Sequence, residues 1–386
     1  MGRDPTPTRA EYDALVDALW DGDPLMDAAL ERFASGGRGR RAFELALERG
    51  VAAVPDAPTE LRALFEVVDR APRWLDWDRI DDGVRFMHRA GLSAGLVLRD
   101  FALMGGYLLT GFNHTLVLTG ALEKGAGRRV AETSKWWIDC TEPEGLRRFG
   151  PGFKSCLRVR LVHSMVRRSI LARPDWERAR WGVPVNQTDM LATYLAFGPV
   201  MLVGLRALGV PVLPRDARGV MHVWRYAAWL MGVEERWLVD DERAGLVRLY
   251  QTLLTQGRPD WTTRALGRAL AEEPLQRDSP WRGRLPALHE LSLRLGYHTH
   301  LSVTRMFLSR RQMRALGLPD RVVPWYPLLT AGPRAARHVR ALATPWGRRR
   351  LEREGRRAQL EQLRAMFGER EHAVTRGEHL QGARAR

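Results

Sequence analysis

Phe101 to Leu122 runs for twenty-two residues without a formal charge, and this run limits how the chain can fold. As one continuous helix rising about 1.5 Å per residue it would be long enough to cross a bilayer. Gly105, Gly106, Thr110, Gly111, Asn113, His114, Thr115 and Thr119 interrupt it. Polar groups are expensive inside lipid, so the run is expected to form a buried helix pair around a ligand. A second apolar stretch, Met190 to Leu205, contains Pro199 and reads as core.

Apolar residues recur at three- and four-residue spacing along most of the chain, and strand-like alternation is scarce. The expectation is an all-α protein, one large helical domain. Glu11–Trp20, Pro24–Phe33 and Arg40–Glu48 are expected helices, with a break at Gly36 and Gly37. Arg70 to Ile80, with Pro72 and closely spaced tryptophans, reads as a turn leading into a long helical block. Gly296 to Met313 is a further candidate helix. The expected organisation is an N-terminal helical region over 1–70, a central helical domain over 71–331 and a basic helical tail over 332–386.

A chain of 386 residues buries a sufficient core without staples. Its two cysteines, Cys140 and Cys156, form no zinc spacing. The N-terminal segment MGRDPTPTRAEYD lacks a secretory apolar stretch, so the expected compartment is the cytoplasm. The net charge is +16 and almost entirely arginine, with lysine only at Lys124, Lys135 and Lys154. From Thr330 onward fourteen Arg face six Glu, which places half of the excess in the tail. No specific nucleic-acid binding is expected; weak contact with an anionic surface through Arg334 to Arg357 is. P-loop and GxGxxG patterns are absent, which argues against nucleotide chemistry.

The chemistry-bearing residues lie in two helical segments. Arg129 and Thr133 are an i, i+4 pair and share a helix face, offering a fork of donors and a hydroxyl. His163 sits in LRVRLVHSMVRRSI with Cys156, Val159, Val166 and Ile170 on an apolar face, and Arg160 and Arg167 one turn either way. An imidazole, apolar walls and flanking cations together suit a haem, with His163 on the metal and Arg160 and Arg167 toward its carboxylates. His298 and His300, at i, i+2, point to different helix faces and make no joint metal site.

Four blocks in order carry a family resemblance: RRVAET, PGFKSCLRVRLVHSMVRR, WGVPVNQTDMLATYLAF and HVWRYAAWLMGV. Together they resemble the rubber oxygenase or latex-clearing protein family, which includes fungal endoplasmic-reticulum-bound oxygenases of mycophenolic acid synthesis. The resemblance covers about Pro72 to Pro327. It implies a globin-like helical core holding haem b, His163 as the proximal ligand, and Arg129 and Thr133 on the distal side. It implies an oxygenase, of dioxygenase or peroxygenase type, acting with dioxygen on a hydrophobic, unsaturated or isoprenoid molecule. The alternative is a haem-binding sensor or carrier without turnover.

Two positions depart from the rubber-cleaving pattern. Where those members carry a lysine before the distal threonine, able to cap the iron, this chain has Glu132. Where they use an upstream glutamate as base, the comparable spacing falls near Asn113, and no carboxylate occurs between Asp100 and Glu123. Asparagine cannot take a proton as a base. Glu132 could substitute, though pairing with a surface arginine is the better account of it. Asn186, Gln187 and Asp189 read as the polar start of a helix, and Trp224 and Arg225 as pocket wall or core.

Overall fold

The computed structural model describes residues 4–33, 38–122, 125–278, 281–283 and 285–367, and these contain helices and no strand. Helix α1 (Arg9–Asp17) begins at Thr8, whose hydroxyl accepts the Glu11 N–H while Glu11 accepts the Thr8 N–H at 2.9 Å. Helices α2 (Pro24–Phe33), α3 (Arg38–Arg49) and α4 (Thr59–Val68) follow, close to the expected positions. The expected break at Gly36 and Gly37 lies outside the described residues. The tryptophan-rich turn does lead into a helix: Asp76 caps α5 (Trp77–Ala90) by accepting the N–H groups of Asp78 and Arg79.

The uncharged run is not one rod. It belongs to α6 (Leu92–Gly106) and α7 (Thr110–Leu118), which meet at a 100° bend. Gly105 and Gly106 precede the bend, and Leu98–Leu103 within α6 is wound as a π-helix. Helices α8 (Ala126–Cys140) and α9 (Pro151–Leu171) then pack together. Helix α10 (Gln187–Ala207) has a π-turn, Ala196–Val200, at Pro199, where the ring removes a donor from the ladder. Length and composition would let α10 cross a membrane, but most of its apolar stretch is buried inside the protein.

Helix α11 (Pro214–Leu230) crosses α5 at Gly83 and Gly219, where a Cβ on Gly83 would stand 2.4 Å from the Gly219 carbonyl oxygen. Only glycine lets the two backbones come this close. Helices α12 (Glu242–Leu253), α13 (Trp261–Glu272) and α14 (Pro286–Phe307) follow. The helix expected over Gly296 to Met313 is two: α14 ends at Phe307, and Ser309 caps α15 (Arg310–Ala315) by a reciprocal bond with Gln312.

Two further helices, α16 (Trp325–Leu342) and α17 (Pro345–Phe367), close the described chain. Gly332, the expected start of the tail, lies inside α16. Helix α17 packs on α5: Gln359 Nε2 donates to the Met87 and Gly91 carbonyls at 2.9 and 3.1 Å, and Arg89 pairs with Glu352 at 2.9 Å. Arginines here are engaged within the protein: Arg337 and Arg350 both pair with Glu354, and Arg356 pairs with Glu142.

One large buried cluster joins Leu15, Phe43 and Phe65 from the N-terminal helices to Trp224 of α11 and Leu363 of α17. A smaller one gathers Met104, Tyr107, Leu266, Leu270, Leu301 and Leu316. Phe101 packs against both, and the cavity described next is lined from both sides.

Candidate active site

Helix α9 starts at Pro151, whose fixed φ suits the first helical position. It presents Val159, Val162, His163 and Val166 to a cavity of about 400 Å³. The other two expected neighbours of His163, Cys156 and Ile170, are buried in the core instead. Helix α8 contributes Arg129, Thr133 and Trp136 to the same cavity, and so the expected face brings Arg129 and Thr133 together with His163. Tyr194 and Phe197 of α10 and Trp224 of α11 complete an aromatic wall, Phe197 lying 5.0 Å from Trp224 and 5.1 Å from Trp136.

A second lobe of about 370 Å³ shares Phe112, Leu116, Arg129, Thr133, His163 and Asp189 with the first. It continues past Leu103 and Leu109 to Arg99, Arg277 and His300, and under α17 to Leu363 and Met366. The walls of both lobes are predominantly apolar, the character of a site for a hydrophobic ligand.

Burial lowers the His163 pKa to about 4, the Arg167 cation pushes it the same way, and Asp23 opposes both. The imidazole is therefore neutral near neutral pH, with one lone pair and one N–H. Its Nδ1 is buried without a hydrogen-bond partner. A neutral imidazole with an unpaired buried nitrogen, set in an apolar cavity, is a costly arrangement in a folded protein. Such costs are tolerated where a metal or ligand engages the ring. No group of three or more His, Cys, Asp or Glu able to hold a metal ion occurs among the described residues. The donor set on offer is a single imidazole between apolar walls, which fits a haem iron better than a free ion.

Arg129 is held from behind by Tyr107. Its guanidinium donates to the Tyr107 hydroxyl and its Cζ lies 5.5 Å from the ring centroid. Burial pushes the Tyr107 pKa up, against the pull of Arg129. Thr133 is open to the cavity. Glu132 lies at the cavity margin and accepts from Arg128 Nε at 2.9 Å, the surface pairing expected for it. Asn113 is fully buried and donates to the Tyr107 carbonyl at 2.7 Å and the Thr263 hydroxyl at 3.3 Å; it does not line either lobe.

Arg160 and Arg167 require a correction. Neither lines the cavity. Arg160 donates from Nε and Nη2 to the two Asp23 oxygens at 2.5 and 2.7 Å, with both residues buried. Arg167 donates to Asp27 Oδ1 at 2.5 Å and to the Val185 carbonyl at 2.9 Å. One-turn spacing from His163 placed them near it in sequence, but the buried acids of the N-terminal segment claim their charge. Arg167 still acts on the cavity indirectly. Val185 lines the first lobe with φ of 54°, a left-handed conformation strained for a β-branched residue, and Arg167 holds its carbonyl.

Asn186 caps α10 as expected, accepting the Asp189 N–H at 2.8 Å. Asp189 has a second property that sequence did not reveal: it lines both lobes, and burial raises its pKa to about 7 against hydrogen bonds from Asn186 and Gln256. Trp224 is cavity wall, while Arg225 lies over the Trp74 ring, 3.9 Å from its centroid. Tyr107, Val185 and the strong burial of Asp189 had no sequence signal, because each depends on contacts from distant elements.

Residues 88–344 match the family of the ER-bound oxygenase mpaB/B'/Rubber oxygenase catalytic domain. The chain belongs to this family. Among its relatives is a rubber oxygenase of Streptomyces sp. (strain K30), 25% identical over 185 residues. That match covers 47% of this chain and 45% of the relative, so the chain spans less than half of the length of the protein it matches. The structure of latex clearing protein LCP in the closed state superposes with a TM-score of 0.62 over 93% of this chain and 92% of that one, at 20% identity. At that identity the likeness establishes a shared fold. The family match spans α8, α9 and α10, and with them Arg129, Thr133, His163 and Asp189.

Proposed function

We propose that this protein is a haem b-dependent oxygenase acting on a hydrophobic, unsaturated substrate, with His163 as the iron ligand within a globin-like core. The observation that carries the reading is the neutral His163 imidazole, its Nδ1 unpaired, lining one apolar cavity together with Arg129 and Thr133. Membership of the oxygenase family supports it. When bound, the haem would supply activation of dioxygen, the difficult part of the chemistry.

The residues of this chain supply binding and orientation. The aromatic wall of Trp136, Phe197 and Trp224 excludes water and offers flat surfaces to a macrocycle. Arg129, fixed by Tyr107, and Thr133 bring donors to the cavity that His163 lines, and hydrogen bonds to developing negative charge are strongest in a dry site. Asn113 is committed to structural bonds and takes no proton. Asp189, with a pKa of about 7, is the carboxyl in the cavity able to hold or release a proton near neutral pH.

Absorption spectroscopy of the purified protein tests this. A Soret band that shifts on reduction and carbon monoxide addition is expected, and His163→Ala should abolish it while helical circular dichroism persists. A His163→Ala variant retaining full haem would overturn the assignment. The second reading, a haem-binding sensor or carrier, draws on the structural role of Asn113 at the position comparable to the family's base. Oxygen consumption with a panel of olefins separates the two: stoichiometric uptake supports turnover, and ligation without uptake supports the carrier.

A further inference from the structure

The second lobe has a shape that oxygen chemistry alone does not require. It follows one face of α6 from end to end: Gly95, Arg99, Ala102 and Gly106 recur at three- and four-residue spacing, and all line it. At about 1.5 Å per residue α6 is roughly 22 Å long, so the lobe is a trough rather than a round pocket. Val130, Ser134 and Trp137 of α8 form a second side at the same spacing, and Ala192 and Ala196 of α10 a third. Five of these wall positions carry no more than a methyl group, and a Cβ at Gly106 would meet nothing within 4 Å. The trough exists because its walls are small, and an extended chain touches more of such a wall than a compact ring system does.

The two ends differ. At the α7 end Phe112 and Leu116 join the trough to the first lobe, beside Arg129, Thr133 and His163. The other end runs under α17, which is fixed against the end of α5. Gln359 donates to the Met87 and Gly91 carbonyls, and a Cβ at Gly355 would collide with the His88 carbonyl. The following turn lays Leu363 and Met366, an i, i+3 pair, over the start of α6, where a Cβ on Gly95 would stand 3.7 Å from Gln362 Oε1. Among the described residues nothing before Gly91 and nothing after Met366 lines the lobe. This wall also lies beyond residue 344, where the family match ends. On the flank, Arg99 donates to Asp100 at 2.5 Å and to Glu273 at 3.0 Å, and Arg277 donates to Glu273 at 2.6 Å. That flank offers a ligand neutralised pairs rather than a free cation.

We infer that the second lobe holds an uncharged, extended chain along α6, and that Leu363 and Met366 of α17 stop its far end and so set the longest molecule the cavity accepts. The substrate is then a linear molecule of bounded length, lying from α17 to the His163 end, and not a polymer threaded through the protein. Leu363 is buried in the core and is the fixed part of the stop. Met366 is half-buried, unbranched and adaptable, and is the part that substitution can move. The inference rests on the reading that this cavity holds the substrate.

Uncharged prenols of graded length test it on the full-length, haem-loaded protein, by displacement of the fluorescent probe N-phenylnaphthylamine with the Soret band recorded in parallel. One methylene too many in a closed apolar pocket costs roughly tenfold or more, so farnesol should bind at least about tenfold tighter than hexaprenol, which is twice as long. Geranylgeraniol should likewise bind at least about tenfold tighter than abietinol, a tricyclic alcohol with the same number of carbons. Met366→Ala should narrow the gap between farnesol and hexaprenol, and Leu363→Ala with Met366→Ala should close most of it. Met366→Trp should act in the opposite direction and weaken farnesol relative to the shorter geraniol, which keeps the test decisive if the double variant folds poorly. Gly106→Leu, at the other end of the trough, should weaken all the linear prenols. Equal binding of farnesol and hexaprenol by the native protein, length selection untouched by both Met366 changes, or abietinol binding as tightly as geranylgeraniol would each overturn the inference. Prenol binding without length selection, with the Soret band intact, sinks this inference alone. Absence of any prenol binding sinks the substrate reading with it, and a missing Soret band with length selection intact sinks only the haem assignment.

Discussion

Asp23 and Arg160 form a bidentate ion pair, 2.5 and 2.7 Å, one turn before His163 on the same helix, with each side chain 5% exposed. A buried pair of this kind costs desolvation, so removing one partner is worse than removing both. Arg160→Met alone should destabilise by about 3–5 kcal/mol, the range for an uncompensated buried charge. The double change Arg160→Met with Asp23→Leu should recover much of that. Urea denaturation of the four proteins measures it, and a simple sum of the single effects would contradict the pairing.

Tyr107 and Arg129 offer a test of positioning. Tyr107→Phe keeps the ring under the guanidinium and removes the hydroxyl it donates to. Haem content should be unchanged, while oxygen-dependent turnover falls by roughly threefold to tenfold, the equivalent of about one hydrogen bond. Turnover equal to the native protein would show that Arg129 needs no such anchor.

Two glycines predict opposite signs. Gly219→Ala would drive a Cβ to 2.4 Å from the Gly83 backbone nitrogen, a clash that backbone cannot relieve cheaply, and should cost about 3 kcal/mol or more. Gly296→Ala in the interior of α14 meets nothing closer than the Pro274 Cβ at 3.7 Å and should stabilise by about 1 kcal/mol. Thermal denaturation of both variants checks the pair.

Acid should unfold the protein through its histidines. Burial lowers the pKa of His88, His163, His222 and His338 to about 4, helped in each by nearby arginine. Each folded value lies below the unfolded one, so their contribution is full above about 6.5 and is lost as pH falls toward 4. Asp189 has the opposite sign: its folded value is raised to about 7, so its ionisation penalises the native state as pH rises from about 4 to about 7. Asp189→Asn should therefore add stability at pH 8 and none near pH 3.5, measured by denaturation across that range. Equal effects at both ends would contradict a buried, raised carboxyl.

Helix periodicity was legible without coordinates because an amphipathic face is a local property: α2 and α3 lie close to where spacing placed them, and α9 contains the stretch expected to carry His163. The i, i+4 relation of Arg129 and Thr133 was local too. Their expected grouping with His163 came from ordered motifs, and α8 packs on α9 so that all three line one cavity. Glu132, expected to pair with a surface arginine, pairs with Arg128 one turn before it, a local contact as well.

What sequence by itself determined was the helical class and the family, since periodicity and motif order survive without tertiary contacts. What only the tertiary structure decided was where the charges go. Arg160 and Arg167 sit one turn from His163 yet point their charge at Asp23 and Asp27, more than a hundred residues away in the chain. Asp100 and His300, two hundred residues apart, meet at the end of a lobe. Buried charges must be paired wherever a partner is delivered, and that delivery is set by helix packing rather than by spacing along the chain.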